Sequence, residues 1–195
     1  MNTYFQKLNF SIDSSTINFP SLKGDFNYAY NNPDGSLLNY RYIHKDGIPL
    51  VQQVFSNFIK IAPNNIRFVE VRWGGYELLP HRDYGVPCTI NYYFRTNDAT
   101  TYWYKKGENS AVEHISRKYQ TIIYVRDELE LCDQFTARNN DCYLLNTDEI
   151  HSMSGGTDIR QFIQIQYTTP YHEIVRLLNL ERATGFEPAT NSLEG

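Results

Sequence analysis

Residues 159–167 read IRQFIQIQY, and their side chains alternate in character along the chain. Successive side chains of a β-strand point to opposite sides, so this stretch predicts a strand with two different faces. The apolar face consists of Ile163, Ile165 and Tyr167. The opposite, mostly polar face consists of Arg160, Phe162, Gln164 and Gln166. A β-barrel with a wet, functional interior requires strands of this kind, and a plain solvent-facing side is the alternative.

The stretch 88–95 repeats the pattern, and other short stretches surround it. Its polar side carries Thr89, Asn91, Tyr93 and Arg95, opposite Ile90, Tyr92 and Phe94. Together with the turn residues between them, the short stretches predict strands near 66–73, 79–83, 88–95, 100–105, 120–126, 130–137, 141–146, 150–153 and 159–168. Short strands with no helix between them predict a mainly β fold, either a sandwich or a barrel. The 16 tyrosines agree with this, since aromatic residues favour strands.

The 195 residues suffice for one domain of ordinary size. A helix is predicted over 49–61, because Pro49 suits a first helical turn and apolar residues recur on one face. A second helix is predicted from Pro170 to about residue 182. Residues 183–195 have no periodicity and are expected to form a disordered tail. We therefore expect a single domain over 1–182, with its barrel core at about 66–168.

Composition restricts the class of protein further. With 41% hydrophobic residues the chain can form a core, and its net charge of −4 argues against a nucleic-acid partner. There is no apolar run of the length that spans a membrane, and the start lacks the pattern of a secretory signal, so we expect a cytoplasmic protein. Cys88, Cys132 and Cys142 form no CxxC pair and are expected to be small buried hydrophobes.

Residues 80–84 read PHRDY and place His81 and Asp83 two residues apart. On an extended chain both side chains project to the same side, so both can reach one metal ion. A third ligand must come from elsewhere, and His151, shortly before the turn Gly155-Gly156, is the natural candidate. Two imidazoles and one carboxylate form the facial triad of non-haem Fe(II) oxygenases, which leaves three coordination positions open.

Arg160 follows His151 on the polar side of the stretch 159–167, where a guanidinium can pair bidentately with a carboxylate. An HxD pair, a distant histidine and then an arginine, in this order, resemble the 2-oxoglutarate/Fe(II)-dependent dioxygenase superfamily. Residues 74–84 (GGYELLPHRDY) look like the segment that leads into the iron ligands of prolyl 4-hydroxylase-type enzymes. Residues 141–146 (DCYLLN) resemble the strand before the distal histidine there. The resemblance covers roughly residues 66–168.

The resemblance implies a double-stranded β-helix, which is a jelly-roll or cupin-like barrel, with a few flanking helices. It implies that His81, Asp83 and His151 are the catalytic ligands of Fe(II). Arg160 would pair with the distal carboxylate of 2-oxoglutarate, O2 would be the second cosubstrate, and ascorbate would maintain the iron. Animal and algal prolyl 4-hydroxylases usually have Lys at the position of Arg160, whereas many other branches of the superfamily have Arg, so the resemblance to the superfamily stands and the one to the prolyl 4-hydroxylase-like branch is weaker.

Further contacts with the cosubstrate are expected from the polar side of 88–95. Asn91 or Tyr93 is placed to donate a hydrogen bond, and Thr89 lies on the same side. Ordinary strand polarity is the alternative for these three residues. The implied reaction hydroxylates a C–H bond of a peptide or amino-acid side chain and releases succinate and CO2. The partner would be a small molecule or a peptide, while the oligomeric state stays open.

Arginines and aromatic residues near the proposed mouth of the barrel are weaker candidates for substrate contact. They are Arg72, Trp73, Tyr76, Arg82 and Trp103. Core packing is the alternative for the aromatic residues, and simple solvation is the alternative for Arg82, which points away from the ligands.

Two other functions are compatible with the sequence. A cupin-like metal enzyme that does not use 2-oxoglutarate is one, although such enzymes commonly use three or more histidines as ligands. A non-catalytic jelly-roll protein that binds a ligand is the other, and in that case the HxD pair is a coincidence.

Overall fold

The computed structural model describes residues 3–9, 28–31, 37–40, 61, 63–72, 77–96, 98–107, 112–116, 121–156 and 159–183. The strands in these ranges are β1 (Phe5–Leu8), β2 (Tyr28–Asn31), β3 (Leu37–Tyr40), β4 (Asn65–Arg72), β5 (Leu78–Asp83), β6 (Cys88–Arg95), β7 (Thr100–Lys106), β8 (Val112–Ser116), β9 (Thr121–Tyr124), β10 (Leu129–Thr136), β11 (Cys142–Asn146), β12 (Ile150–Ser154) and β13 (Ile159–Tyr167). The α-helix in these ranges is α1 (Tyr171–Ala183).

The strands form two antiparallel sheets. The seven-stranded sheet has the order β1-β11-β6-β13-β4-β3-β2, and the six-stranded sheet has the order β10-β7-β12-β5-β9-β8. The strands predicted between residues 66 and 168 are all present, with ends that differ by no more than two residues. Strands β1, β2 and β8 were not predicted, whereas β3 falls within the strand-like stretch that the sequence shows at residues 37–42. The expectation of a mainly β fold is therefore confirmed.

The inner faces are the faces that the two sheets turn toward each other, and they share one hydrophobic cluster. The seven-stranded sheet contributes Val69, Val71, Tyr93, Tyr143, Leu145 and Phe162. The six-stranded sheet and the chain after it contribute Trp103, Phe135 and Ala137. Phe5 of β1 packs against this cluster, with its ring centroid 4.8 Å from that of Phe135. The two sheets are thus held face to face by aromatic and branched side chains.

The outer face of the seven-stranded sheet is covered by α1. Strand residues Ile163 and Ile165 lie in one buried cluster with the helix residues Ile174, Val175 and Leu178. The apolar side predicted for residues 159–167 is therefore the side under the helix. The helix begins after Pro170, whose carbonyl accepts from the amide of Ile174 at 3.2 Å.

Some predictions fall on residues outside this description. The helix predicted over 49–61 lies outside the described residues, apart from Ile61, and so does the tail beyond residue 183. Cys88 and Cys142 are fully buried and Cys132 is half-buried, so the expectation of buried cysteines is confirmed for the first two. Across the described ranges, no helix combines the length and apolar character that crossing a membrane requires.

Candidate metal centre

His81 and Asp83 lie on β5, near the middle of the six-stranded sheet. Their side chains project to the same side of the strand, and Nε2 of His81 is 3.6 Å from Oδ1 of Asp83. The pairing of β5 with β12 is irregular beside Pro80, which has no N–H to donate to the ladder. Irregularities of this kind re-aim side chains, and here the strand presents both potential ligands to the inner face.

His151 of β12 is the direct cross-strand partner of His81. The centroids of the two imidazole rings are 4.3 Å apart. One ligand atom from each of His81, Asp83 and His151 lies within 4.8 Å of the other two. The structure therefore brings the three predicted ligands together into one group that can hold a metal ion, although His151 is far from His81 and Asp83 in sequence.

Both imidazoles are oriented by backbone carbonyls. Nδ1 of His81 is 2.8 Å from the carbonyl oxygen of Leu79, and Nδ1 of His151 is 2.9 Å from that of Glu149. A proton on Nδ1 donates to the carbonyl, which leaves the lone pair on Nε2 for a metal ion. Each histidine thus uses the residue two positions before it to fix its tautomer.

The protonation of His151 also suits a ligand. The pKa of His151 is lowered to about 4, chiefly because its ring is buried and further because His81 lies beside it. Asp83 and the Glu149 carbonyl act in the opposite direction. The ring is therefore neutral at neutral pH, and its lone pair is available without the loss of a proton.

Two turns beside the ligands are joined by hydrogen bonds. The amide of Asp83 donates to the carbonyl of Thr147 at 3.0 Å, and the amide of Thr147 donates to the carbonyl of Pro87 at 3.1 Å. The Thr147 hydroxyl donates to the carbonyl of Val86 at 2.5 Å. These bonds tie the chain after Asp83 to the chain before His151, so the ligands are held on a connected frame.

For Trp103, a weak candidate for substrate contact, the structure favours the alternative of core packing. Its side chain is fully buried in the cluster between the sheets. Trp103 is the cross-strand partner of His151, the two rings are stacked with centroids 6.2 Å apart, and the indole N–H donates to the carbonyl of Asn146. Core packing prevails for this residue because its register on β7 points it inward, behind His151.

Arg160 reaches from the inner face of the seven-stranded sheet to the six-stranded sheet. Its side chain is only 1% exposed, and its Nη1 donates to Sδ of Met153. The guanidinium carbon lies 4.5 Å from the centroid of the Tyr93 ring and 5.8 Å from that of Phe162. No carboxylate pairs with Arg160 among the residues that the structure describes, and its Nε has no hydrogen-bond partner there.

Strand β6, which lies beside β13 in the sheet, also carries two buried polar atoms without hydrogen-bond partners in the described residues. Oγ1 of Thr89 and Oδ1 of Asn91 are buried and lack hydrogen-bond partners within the described part of the chain. The amide nitrogen of Asn91 donates to the Tyr93 hydroxyl at 3.3 Å. Buried polar atoms without partners are rare and mark places where a ligand or water completes the bonding. Three such atoms lie on two adjacent strands, β6 and β13.

The remaining candidates for substrate contact are placed elsewhere. Arg82 points away from the ligands and pairs with the carboxylate of Asp148 at 2.9 Å, so it bridges the two turns instead of being merely solvated. Trp73 and Tyr76 lie outside the described residues. Arg72 ends β4, and its side chain is outside the description too.

Met153 is a residue at the site that the sequence did not predict. It lies two residues after His151 on β12, on the same inner face. Its spacing of two residues from His151 is the signal in the sequence that its side chain points to the same side as that of His151. Its contact with Arg160 depends on how the two sheets are packed, which no local pattern reveals.

No family model matches this sequence, and no curated protein matches it. Among solved structures, one titled "Crystal Structure of EvdMO1" is similar at 13% sequence identity, with a TM-score of 0.42. The similarity covers 76% of this chain and 39% of that chain, so this chain spans well under half the length of that structure. Function is therefore inferred from the residues of the site itself.

Proposed function

We propose that this protein is an Fe(II)- and 2-oxoglutarate-dependent dioxygenase that hydroxylates a C–H bond of a peptide or amino-acid side chain. The observation that carries the proposal is a pair of sites on facing sheets. A His-Asp-His group lies on one inner face, and a buried arginine without an acidic partner in the described residues lies on the other. A metal ion and a bound carboxylate would complete both sites at once.

The donor set fits Fe(II). Two imidazoles and one carboxylate are the ligands of the facial triad, and both imidazoles keep Nε2 free because Nδ1 faces a carbonyl. Asp83 is the most open of the three, with 28% of its side chain exposed. We expect substrate to approach from that side.

The polar groups around Arg160 fit a cosubstrate with two carboxylates. The guanidinium would bind the distal carboxylate of 2-oxoglutarate, since an arginine buried in an apolar setting requires an anion to satisfy it. Asn91, whose amide reaches the Tyr93 hydroxyl, would supply a further polar contact through its buried oxygen, which has no partner in the described residues. Thr89 was the third candidate on this strand, but it pairs with Gln166, six residues along β13 from Arg160, so it lies too far along the sheet for the same contact. The Asn91 carbonyl oxygen can only accept, so the amide would need to turn over for its NH2 group to donate to a carboxylate.

The residues of the chain have distinct tasks in the proposed reaction. His81, Asp83 and His151 would hold the metal, and the bound iron with 2-oxoglutarate and O2 would supply the hydroxylation chemistry, with release of succinate and CO2. Arg160 would orient the cosubstrate. Trp103, Tyr93 and Phe162 line the same inner space and exclude water from it. For the fold, we propose that the two facing sheets are the two halves of a double-stranded β-helix.

Succinate formation tests the proposal. The full chain is incubated with Fe(II), ascorbate, O2 and 2-oxoglutarate, first alone and then with a library of peptides and amino acids. We expect slow succinate release alone and faster release with a substrate. Asp83→Ala should abolish both, whereas Asp148→Ala, which removes an exposed carboxylate at the neighbouring turn, should retain them.

Three results would overturn the proposal. Succinate release that Asp83→Ala leaves unchanged would mean that the triad does not support the reaction. A protein that holds a metal but neither binds nor consumes 2-oxoglutarate would instead be the cupin-like enzyme considered above, and one without metal affinity would be a ligand-binding protein.

A further inference from the structure

The surroundings of the Arg160 guanidinium are unusual in their chemistry. The described contacts are a thioether, Met153, and two aromatic rings, Tyr93 and Phe162. All three are neutral, and the side chain of Arg160 is 1% exposed. A buried guanidinium normally pairs with a carboxylate, because burying an unpaired charge costs several kcal/mol. Here neutral groups support the charge without cancelling it.

Met153 has a particular place among these contacts. The aromatic rings belong to the same sheet as Arg160, whereas Met153 belongs to the opposite sheet and points inward beside His151. Two residues of a strand span about 7 Å, so Met153 is the next inward position along the strand from a metal ligand. Among the described contacts, the thioether is therefore the one that joins the guanidinium to the sheet that carries the metal ligands.

The chemistry of sulfur suits this position. A thioether is only a weak hydrogen-bond acceptor and carries no charge, so it contacts the guanidinium without satisfying it. An Asp, Glu or Gln at the same place would accept strong hydrogen bonds from Arg160 and would compete with any incoming carboxylate.

We propose that Met153 is a positioning residue for cosubstrate recognition: it holds the Arg160 guanidinium toward the metal centre and leaves its charge free for a carboxylate. This inference rests on the proposed function and adds a residue that determines which anion the site accepts. Met153 itself needs no contact with the cosubstrate.

Substitutions at residue 153 separate its shape from its polarity. Met153→Glu should weaken 2-oxoglutarate binding by about 100-fold, because an internal carboxylate then pairs with Arg160. Met153→Gln introduces a neutral acceptor, which destabilises the folded protein less than a buried carboxylate does. It should weaken 2-oxoglutarate binding by about tenfold. Met153→Leu keeps the size and removes the sulfur, so it should cost only about threefold.

The experiment is calorimetric titration of 2-oxoglutarate into the full chain loaded with Mn(II), which binds like Fe(II) and does not turn over. Leu145→Met, a same-size exchange in the cluster between the sheets, is the matched control and should leave the affinity unchanged. Mn(II) affinity and Tm are measured for every variant. We expect Mn(II) affinity to stay within about twofold throughout, because the three metal ligands are untouched.

The outcomes distinguish a failure of the proposed function from a failure of the role proposed for Met153. If the wild-type protein binds Mn(II) but not 2-oxoglutarate, the proposed function fails and this inference fails with it. If the wild type binds 2-oxoglutarate and both Met153→Glu and Met153→Gln bind it equally well, the role of Met153 is wrong while the proposed function stands. A parallel loss of Mn(II) affinity in the Met153 variants would also contradict the role proposed for Met153, since this residue would then support the whole site.

Discussion

The two faces of the seven-stranded sheet have opposite properties although they belong to the same strands. On β13, Ile163 and Ile165 point outward into the cluster under α1, while Arg160 points inward to the opposite sheet. On β6, Ile90 is outward and Thr89 is inward. The outer face has apolar partners for its side chains, whereas the inner face contains buried polar atoms with no partner in the described residues.

Because of this difference, the two faces contribute to different properties, the outer face to stability and the inner face to binding. Burial of apolar side chains supplies most of the folding free energy, and the outer face does this mainly with apolar residues. Its buried Glu70 is hydrogen-bonded to Gln161 at 2.7 Å, so the polar pair on this face is satisfied within the chain. Buried polar groups without partners lower stability and persist where function requires them. The outer face is therefore expected to determine whether the protein folds, and the inner face what it binds.

The largest expected effect is on the outer face. Ile163 is fully buried in the cluster under α1, so Ile163→Ala should lower the free energy of unfolding by about 2–5 kcal/mol. Metal affinity, measured at low temperature where the variant is folded, should not change. Urea denaturation measures the first quantity, and Ile163→Val, which should cost about 1 kcal/mol, is the graded control. A loss of metal affinity in the folded variant would show that the faces are coupled.

The next effect concerns pH and the inner face. The folded-state pKa of His151, about 4, lies below the ordinary value of 6.5, so the unfolded chain binds the extra proton between these values. Stability should therefore be full above about pH 6.5, fall by about 3 kcal/mol as the pH falls to 4, and lose nothing more from this residue below that. Denaturation of the metal-free protein as a function of pH, compared with His151→Gln, measures it. An identical pH dependence in the variant would contradict the assignment.

A smaller effect of opposite sign is expected at Arg160. Without a bound anion, Arg160→Met removes a buried charge that no described carboxylate compensates, so the variant should be about 1 kcal/mol more stable than the wild type. The same variant should lose 2-oxoglutarate binding. Chemical denaturation in ligand-free buffer gives the stability change. A variant that is clearly less stable would show that Arg160 has a structural role.

The smallest effect is expected where the site meets solvent. Arg82 and Asp148 form an exposed ion pair between the two turns beside the ligands. Exposed pairs contribute little, so Arg82→Ala should lower stability by less than about 1 kcal/mol and leave metal affinity unchanged. Thermal denaturation at low and at high salt measures this contribution, which should shrink as salt is added. A loss of several kcal/mol would mean that the pair holds the frame of the metal centre.

The parts that the sequence predicted well are those that local patterns govern. The alternation along residues 159–167 determines which side of β13 lies under the helix, and period two places His81 and Asp83 on one side of β5. Strand β8 was missed because Val112–Ser116 contains Glu, His and Ser and lacks a clear alternation. Strand β1 was missed because Phe5–Leu8 reads FQKL, in which the two apolar residues fall on opposite sides of the strand, so no alternation shows.

Contacts between the sheets could not be predicted in the same way. For Trp103 the sequence left substrate contact and core packing both open, because an aromatic residue near the ligands is compatible with either role. Only its pairing with His151 shows that it packs against the ring in the core. The contact of Met153 with Arg160 depends on the separation and angle of the two sheets, which are set by the whole cluster between them.

Under the proposed function, the His-Asp-His site and Arg160, which lie on facing sheets, bind one molecule of 2-oxoglutarate together. The most direct measurement is the visible absorption spectrum of the full chain under anaerobic conditions, loaded with Fe(II) and titrated with 2-oxoglutarate. We expect a new charge-transfer band that saturates at one equivalent in the wild type, is absent in Asp83→Ala, and requires far more cosubstrate in Arg160→Met. A spectrum of the iron-loaded wild type that 2-oxoglutarate does not change would contradict the proposed function.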